Sequence, residues 1–179
     1  MNSKVKFLMA AVTLALSSVG GSVLAQTKLT NQSKVTINGI GPVRVGMTVN
    51  QAATAAGTRL VGSSPNNTCY YVSPQGQRNQ IGFMVTGGRI ARVDIYKNSQ
   101  ITTVKGAKIG DTEARIKALY PGQIQVSPHN YVPKGHYLSF VPKDRSDRNY
   151  RVIFETDGKR VTLIRAGKLP EVEYVEGCS

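Results

Sequence analysis

The chain is poor in the residues that build most catalytic sites. Its 179 residues include no tryptophan, two histidines, two cysteines and ten acidic residues against 23 Lys or Arg. No serine lies in a G-x-S-x-G motif, the signature of an α/β-hydrolase nucleophile. His129 and His136 lack a third partner at zinc-binding spacing, which favours loop or surface histidines over a metal site. The sequence therefore predicts no catalytic residue, no metal and no cofactor.

Positive charge is concentrated in the first half of the chain. Residues 26–105 contain nine Lys or Arg and one acid, Asp94, whereas residues 106–179 contain twelve bases and nine acids. The net charges of these segments are therefore +8 and +3. A field of one sign attracts partners of the opposite sign. We expect an acidic extracytoplasmic protein or an anionic envelope polymer as the partner; a solvated basic surface without a specific partner is the alternative.

The first 25 residues have the pattern of a secretory signal peptide. Lys4 and Lys6 precede an apolar stretch from Phe7 to Leu16, and small residues end at Ala25. The apolar stretch is too short for the alternative, a transmembrane anchor. No cysteine directly follows the expected cleavage site, so we expect no lipid anchor and no membrane span. The mature protein is expected in the periplasm or outside the cell.

Cys69 and Cys178 are the two cysteines of the chain. An even number of cysteines in an exported chain favours a disulfide bond. The alternative, a nucleophilic thiol, would require a histidine partner and protection from oxidation. A bridge would tie the C-terminal tail, residues 168–179, to the first half of the chain.

The start of a capped helix occurs twice. In RVGMTVNQAATAAG, Thr48 and Gln51 form a capping box and Gly57 follows the last helical residue. In KIGDTEARIKALYPG, Asp111 or Thr112 caps a second helix that ends at the Pro-Gly dipeptide. Each helix is short and needs other elements to pack against.

A strand and a hairpin follow each helix. A strand ending at Pro74 precedes a hairpin with Gly87-Gly88 at its turn, and a strand ending at Pro142 precedes one with Asp157-Gly158. Alternating apolar residues in the hairpin arms indicate a sheet with one buried face. We therefore predict an α+β fold of two tandem helix-plus-antiparallel-sheet repeats packed as one domain. The predicted parts are a signal peptide (1–25), an N-terminal segment (26–42), repeat 1 (43–98), a connector (99–108), repeat 2 (109–167) and the tail (168–179).

These starts also carry a resemblance to known families. VGMT at residues 45–48 and IGDT at residues 109–112, each before a helix and a strand meander, resemble the small outer-membrane lipoprotein repeat of the β-barrel assembly machinery. As a tandem pair in an exported chain, they are similar to β-lactamase inhibitory protein. The segment from Ile164 to Cys178 is similar to the tails of uncharacterised bacterial exported proteins. The resemblance implies an enzyme inhibitor or an envelope-assembly partner and assigns no site residue. The chain departs from it in lacking a lipid-attachment cysteine and any tryptophan.

Outward-facing side chains of the sheet are the candidate binding residues. If the apolar residues of strand 89–95 face the helices, Arg92 and Tyr96 face outward. Tyr70 or Tyr71 should join them from the neighbouring strand, and Arg151 from repeat 2. Arg and Tyr dominate interface hot spots, although isolated surface residues are the alternative. Such residues also stack on single-stranded nucleic acid, but export argues against that partner.

The sequence thus predicts an exported, non-enzymatic module that binds a macromolecule through a basic, tyrosine-bearing face of the sheet. A protein is the favoured partner. One alternative is a small cell-envelope hydrolase with His129 or His136 as its base. Another is electrostatic attachment to an anionic envelope polymer. The three glutamates of the tail, residues 171, 173 and 176, alternate as on the solvent face of an edge strand.

Overall fold

The chain folds into a large antiparallel sheet, a small sheet and two α-helices, within residues 28–62, 68–97 and 100–178 that the computed structural model describes. The predicted signal peptide lies outside these residues. The strands in chain order are β1 (Lys34–Thr36), β2 (Gly39–Ile40), β3 (Val43–Arg44), β4 (Leu60–Val61), β5 (Cys69–Pro74), β6 (Ile81–Thr86), β7 (Arg89–Ile95), β8 (Thr102–Thr103), β9 (Ile124–Pro128), β10 (His136–Phe140), β11 (Tyr150–Thr156) and β12 (Val161–Lys168). The helices are α1 (Val49–Ala56) and α2 (Glu113–Leu119), and 3₁₀ helices cover Arg145–Asp147 and Glu171–Glu173.

Both predicted helices are confirmed, with their caps. The Thr48 hydroxyl accepts a hydrogen bond from the Gln51 backbone at 3.2 Å, and the Gln51 side chain accepts one from the Thr48 backbone at 2.9 Å. Gly57 ends α1 in the left-handed conformation that glycine adopts without strain. Thr112 rather than Asp111 caps α2, because the Asp111 carboxylate accepts from the backbone N–H of residue 108.

The large sheet has the strand order β4-β5-β6-β7-β12-β11-β10-β9. Both predicted hairpins are confirmed, since β6 pairs with β7 and β11 with β12. The two hairpins meet where β7 pairs with β12, in a register that runs from Ile95 opposite Ile164 to Arg92 opposite Gly167. This pairing makes one continuous sheet from the first and second halves of the chain.

The small sheet has the order β3-β2-β1-β8 and was not predicted. It joins residues of the expected N-terminal segment to residues of the expected connector, because β1 pairs in parallel with β8. Its strands are two or three residues long. Strands this short do not show the alternation that reveals a strand in a sequence.

The apolar core lies on one face of the large sheet, beneath the helices and the small sheet. It joins Ile40 of the small sheet, Ala52 of α1 and Ile116 of α2 to Phe83 and Phe154 of the large sheet, all fully buried. The opposite face, here called the polar face, carries charged side chains and is crossed by the tail. The tail is a 3₁₀ helix and turn rather than an edge strand, and its first glutamate is buried. The expected alternation of solvent-facing glutamates is therefore wrong.

Candidate binding site

The structure places four of the five candidate binding residues on the polar face. Strand alternation brings Tyr71, Arg92 and Tyr96 to the same side of neighbouring strands. Tyr70 points to the other side, where it packs against the core. Arg151 lies across β12 from Arg92, since both are opposite Gly167. Its guanidinium donates to the backbone carbonyls of residues 148 and 150, at 2.8 and 2.7 Å, and so serves its own loop.

The expectation of an open face is corrected at Arg92, whose side chain is 3% exposed because the tail covers it. All five N–H donors of this guanidinium are used. Nε and Nη2 donate to the Asp94 carboxylate at 2.7 and 3.0 Å, and Nη2 also donates to the Tyr71 hydroxyl at 2.5 Å. Nη1 donates to the backbone carbonyls of Glu171 and Tyr174 in the tail. Arg92 is therefore a buried connector rather than an exposed hot spot.

The ionisable groups around Arg92 are shifted by burial and by Asp94. Burial is the largest single effect and disfavours the charged guanidinium, but the charge and hydrogen bonds of Asp94, together with Tyr71 and Tyr96, outweigh it and raise the pKa of Arg92. Burial, and next the negative charge of Asp94, also raise the pKa of the Tyr71 and Tyr96 hydroxyls well above 10.0. The Tyr96 hydroxyl donates to the Asp94 carboxylate at 3.3 Å. Both tyrosines therefore stay neutral and offer aromatic surface.

The disulfide between Cys69 and Cys178 is confirmed. Cys69 begins β5, two residues before Tyr71 and on the same side of the strand. The bond pins the far end of the tail to the edge half of the large sheet. The alternative of a nucleophilic thiol is thereby removed, because the chain has no other cysteine.

The two histidines occupy different environments. The Nδ1 atom of His129 accepts hydrogen bonds from the backbone N–H groups of residues 131 and 132, so the ring proton is on Nε2, 3.4 Å from the Glu155 carboxylate. Both nitrogens of His129 are thus engaged. His136 is held at Nδ1 by Glu113 at 2.8 Å, and Glu113 also accepts from the Thr156 hydroxyl. Within the described residues, no hydroxyl or thiol is hydrogen-bonded to Nε2 of His136.

Beside the covered centre of the polar face, a concave site lies at the β4 edge of the sheet. We call it the edge cleft; its volume is about 370 Å³. Tyr71, Ser73 and Tyr96 form its floor. The Tyr96 ring packs over Gly82 of β6, where the missing side chain leaves room for it: a Cβ at Gly82 would be 2.8 Å from the Tyr96 hydroxyl. The lining residues are Val61, Gly62, Tyr71, Ser73, Arg78, Asn79, Tyr96 and Lys97.

The rim of the edge cleft is basic. Arg78 belongs to the loop between β5 and β6, and Lys97 follows β7; the Tyr96 backbone N–H ties these segments together by donating to the Gln80 carbonyl at 3.0 Å. Arg59, directly before β4, lies at the same end of the sheet. Among the ion pairs of the described residues, none involves these three cations, which are all exposed. The cleft therefore combines two tyrosines with a positive rim that has no counter-charge.

Sequence reasoning missed the rim residues Arg78 and Lys97, together with Ser73 and Asn79. The excess of positive charge in residues 26–105 was the signal that pointed to this half of the chain. Pattern alone could not show that the β5–β6 loop and the end of β7 meet. Among the described residues, no group of three or more His, Cys, Asp or Glu is placed to hold a metal ion. Neither helix in the described ranges has the length and apolar character that crossing a bilayer requires.

Comparison with known proteins gives a likeness of fold. No protein-family model and no curated protein sequence matches the chain. The crystal structure of the uncharacterized protein yfeY from Escherichia coli matches with a TM-score of 0.50 and 18% sequence identity. The match covers 75% of this chain and 99% of that one. The chain is therefore a mixed α+β protein, dominated by its large sheet, that is similar in fold to this bacterial protein.

Proposed function

We propose that this protein is an exported, non-enzymatic binding module whose edge cleft docks an acidic protein. The observation that carries the proposal is the sign of the surrounding charge. Apart from Asp94, which is buried against Arg92, every charged side chain described between residues 28 and 105 is Lys or Arg. Association with a negatively charged partner is accelerated by such a field and repulsion disfavours basic partners.

The chemistry of the cleft floor favours a protein over a polymer. Tyr71 and Tyr96 supply rigid aromatic surface between the two rim cations, Arg78 and Lys97. Aromatic rings beside cations are typical of protein interface hot spots, where they pack against apolar groups and pair with carboxylates. Attachment to a polymer would require the charge alone. A fitting partner segment carries a carboxylate flanked by apolar side chains.

The proposal includes the tandem-repeat organisation expected from the sequence. Matched contacts at the two helix starts support it. Arg89 donates to the Gly46 carbonyl at 2.8 Å, and Arg160 donates to the Gly110 carbonyl at 2.7 Å. Both glycines have φ near +90°, a conformation that glycine tolerates best. Residues 43–98 and 109–167 are then two copies of one unit, which share the large sheet by pairing β7 with β12.

Export is also part of the proposal. The first 25 residues have the composition of a signal peptide, and the Cys69–Cys178 disulfide is compatible with an oxidising compartment. A periplasmic or secreted module would meet its partner there. Mass spectrometry of the secreted or periplasmic product should find a mature N-terminus near Gln26.

The binding proposal is tested by capture from the extracytoplasmic fraction of the source organism. The oxidised mature protein is immobilised beside two variants of equal charge change. Arg78→Glu/Lys97→Glu reverses the cleft rim, whereas Lys105→Glu/Lys108→Glu reverses two exposed cations that do not line the cleft. We expect one acidic protein to bind wild type and the control variant, and to bind the rim variant with roughly tenfold or more lower affinity.

Other outcomes reject the cleft. Equal weakening by both variants would mean that the partner responds to net charge and has no fixed site. Retention of anionic polymer alone, released as salt is raised, would establish electrostatic attachment in place of protein docking. A partner that binds all three forms equally would use another surface.

A further inference from the structure

Residues 169–178, here called the strap, cross the polar face of the large sheet. Nη1 of Arg92 donates to the carbonyl oxygens of Glu171 and Tyr174 at 2.9 and 2.8 Å. Nη1 of Arg165 donates to the same Tyr174 oxygen at 2.7 Å. The sheet therefore holds the strap largely through backbone carbonyls, as it would hold a bound peptide.

Further contacts fix the strap along its length. Val172 is fully buried and packs with Tyr137 and Ile153 of the polar face. At the far end, Cys178 is bonded to Cys69 of β5. Leu169 and Val175 pack against the same cluster as Val172. The hydroxyls of Thr86 and Tyr131 donate to the carboxylates of Glu171 and Glu176. The strap is thus anchored by three apolar side chains, by hydrogen bonds from the sheet and its loops, and by one covalent bond.

The disulfide is open to attack from the surface. Cys69 and Cys178 line a cavity of about 520 Å³, together with Asn130, Tyr131 and Val175, and both cysteines are partly exposed. Reduction requires in-line approach of a thiolate to one of the two sulfur atoms. The cavity gives a small dithiol a path to the bond with the sheet intact.

The strap also contacts the edge cleft. A Cβ built on Gly177 would lie 3.1 Å from the Tyr71 hydroxyl, so the strap backbone packs against this tyrosine of the cleft floor. Arg92, which holds the strap, donates to the same hydroxyl. The strap therefore adjoins the edge cleft at Tyr71, and its departure would widen the cleft on this side.

We infer that the strap is a redox-released cover over a docking surface for an acidic segment of the partner, an inference that rests on the proposed function. A dithiol supplies the two electrons. One thiolate of the dithiol attacks one cysteine sulfur, breaks the Cys69–Cys178 bond and releases the other cysteine as a thiolate. The second thiolate of the dithiol then attacks its own sulfur in this mixed disulfide, forms the cyclic disulfide of the reductant and releases the first cysteine. The two protons of the dithiol pass to the two cysteine thiolates. The strap leaves, and the Nη1 donors of Arg92 and Arg165 that it occupied become available beside the edge cleft, while the two arginines keep their pairs with Asp94 and Glu155.

Amide hydrogen exchange tests whether reduction releases the strap, and peptide binding tests whether its release exposes a docking surface. The oxidised protein, the protein reduced with dithiothreitol and the Cys178→Ser variant are compared. We expect the strap amides to exchange on the order of 100-fold faster in the last two forms, with β7 and β12 still protected. We expect a fluorescein-labelled oligo-L-glutamate to bind these two forms about tenfold more tightly than the oxidised protein.

Strap amides that remain protected after both treatments overturn the inference, and so does a released strap with unchanged or weaker oligoglutamate binding. Loss of protection in β7 and β12 also overturns it, because the strap would then be part of the cooperative fold. Failure of the proposed function is measured separately in the oxidised protein, where Arg78→Glu/Lys97→Glu would leave oligoglutamate binding unchanged. Strap release is recorded by the exchange rates, whatever the cleft binds.

Discussion

Replacing Arg92 by methionine removes the guanidinium that connects β7, the edge cleft and the strap, and keeps a long apolar side chain in its place. The side chains of Arg92 and Asp94 are 3% and 2% exposed, so the substitution leaves a buried carboxylate without its cation. The carbonyls of Glu171 and Tyr174 lose a donor as well. Removing one partner of a buried ion pair costs about 3–5 kcal/mol, so we expect the free energy of unfolding to fall by about 4 kcal/mol.

Urea unfolding of the oxidised protein, followed by far-ultraviolet circular dichroism, measures this loss. The matched control is Arg78→Met, which removes an exposed arginine and should change the free energy of unfolding by no more than about 0.5 kcal/mol. Asp94→Asn and the double variant Arg92→Met/Asp94→Asn complete a cycle. The double variant contains no buried charge at this site, so its loss should be smaller than the sum of the single losses by roughly 2 kcal/mol.

A loss below about 1 kcal/mol for Arg92→Met is what an exposed ion pair would give, and it would refute the placement of Arg92 beneath the strap. Additive single losses would refute the direct pairing with Asp94, since residues that do not interact contribute independently.

Two further predictions concern the pairing of β7 with β12 and the two tyrosines of the edge cleft. Gly167→Ala should lower the free energy of unfolding, measured by urea titration, by about 3 kcal/mol. A Cβ at this position would lie 2.4 Å from the Ala91 carbonyl oxygen, so β7 would have to move away from β12. A loss below about 1 kcal/mol would contradict this close pairing. Since the pKa of Tyr71 and of Tyr96 is raised in the folded state, the unfolded chain releases these protons first, and stability should fall as the pH rises above 10.0. Urea unfolding between about pH 9 and pH 11 should show a shallower fall in Tyr71→Phe/Tyr96→Phe, and equal slopes would contradict the raised pKa values.

Features encoded by neighbouring residues could be predicted from the sequence. The capping box of Thr48 and Gln51, the left-handed Gly57 and the turn at Gly87-Gly88 depend on contacts within a few residues, and all are present. The disulfide could be predicted because the chain has two cysteines and hence one possible intramolecular bridge. Strand alternation also predicted correctly that Arg92 and Tyr96 point away from the core.

The environment of those outward residues could not be predicted in the same way. Tyr70 and Tyr71 are adjacent and chemically identical, and only the register of β5 decides which of them faces the core. The rim of the edge cleft depends on a loop and a strand end that are separated by some twenty residues in sequence.

The amino-acid order alone therefore determined the helices, the hairpins, the bridge and the positive first half, because each follows from local geometry or from composition. The tertiary structure decided that the tail crosses the polar face, that Arg92 is buried rather than exposed, and that the basic cleft lies at the sheet edge. The physical reason is that burial and hydrogen bonding of a side chain depend on whatever segment packs over it. For Arg92, that segment is about eighty residues further along the chain, at Glu171 and Tyr174.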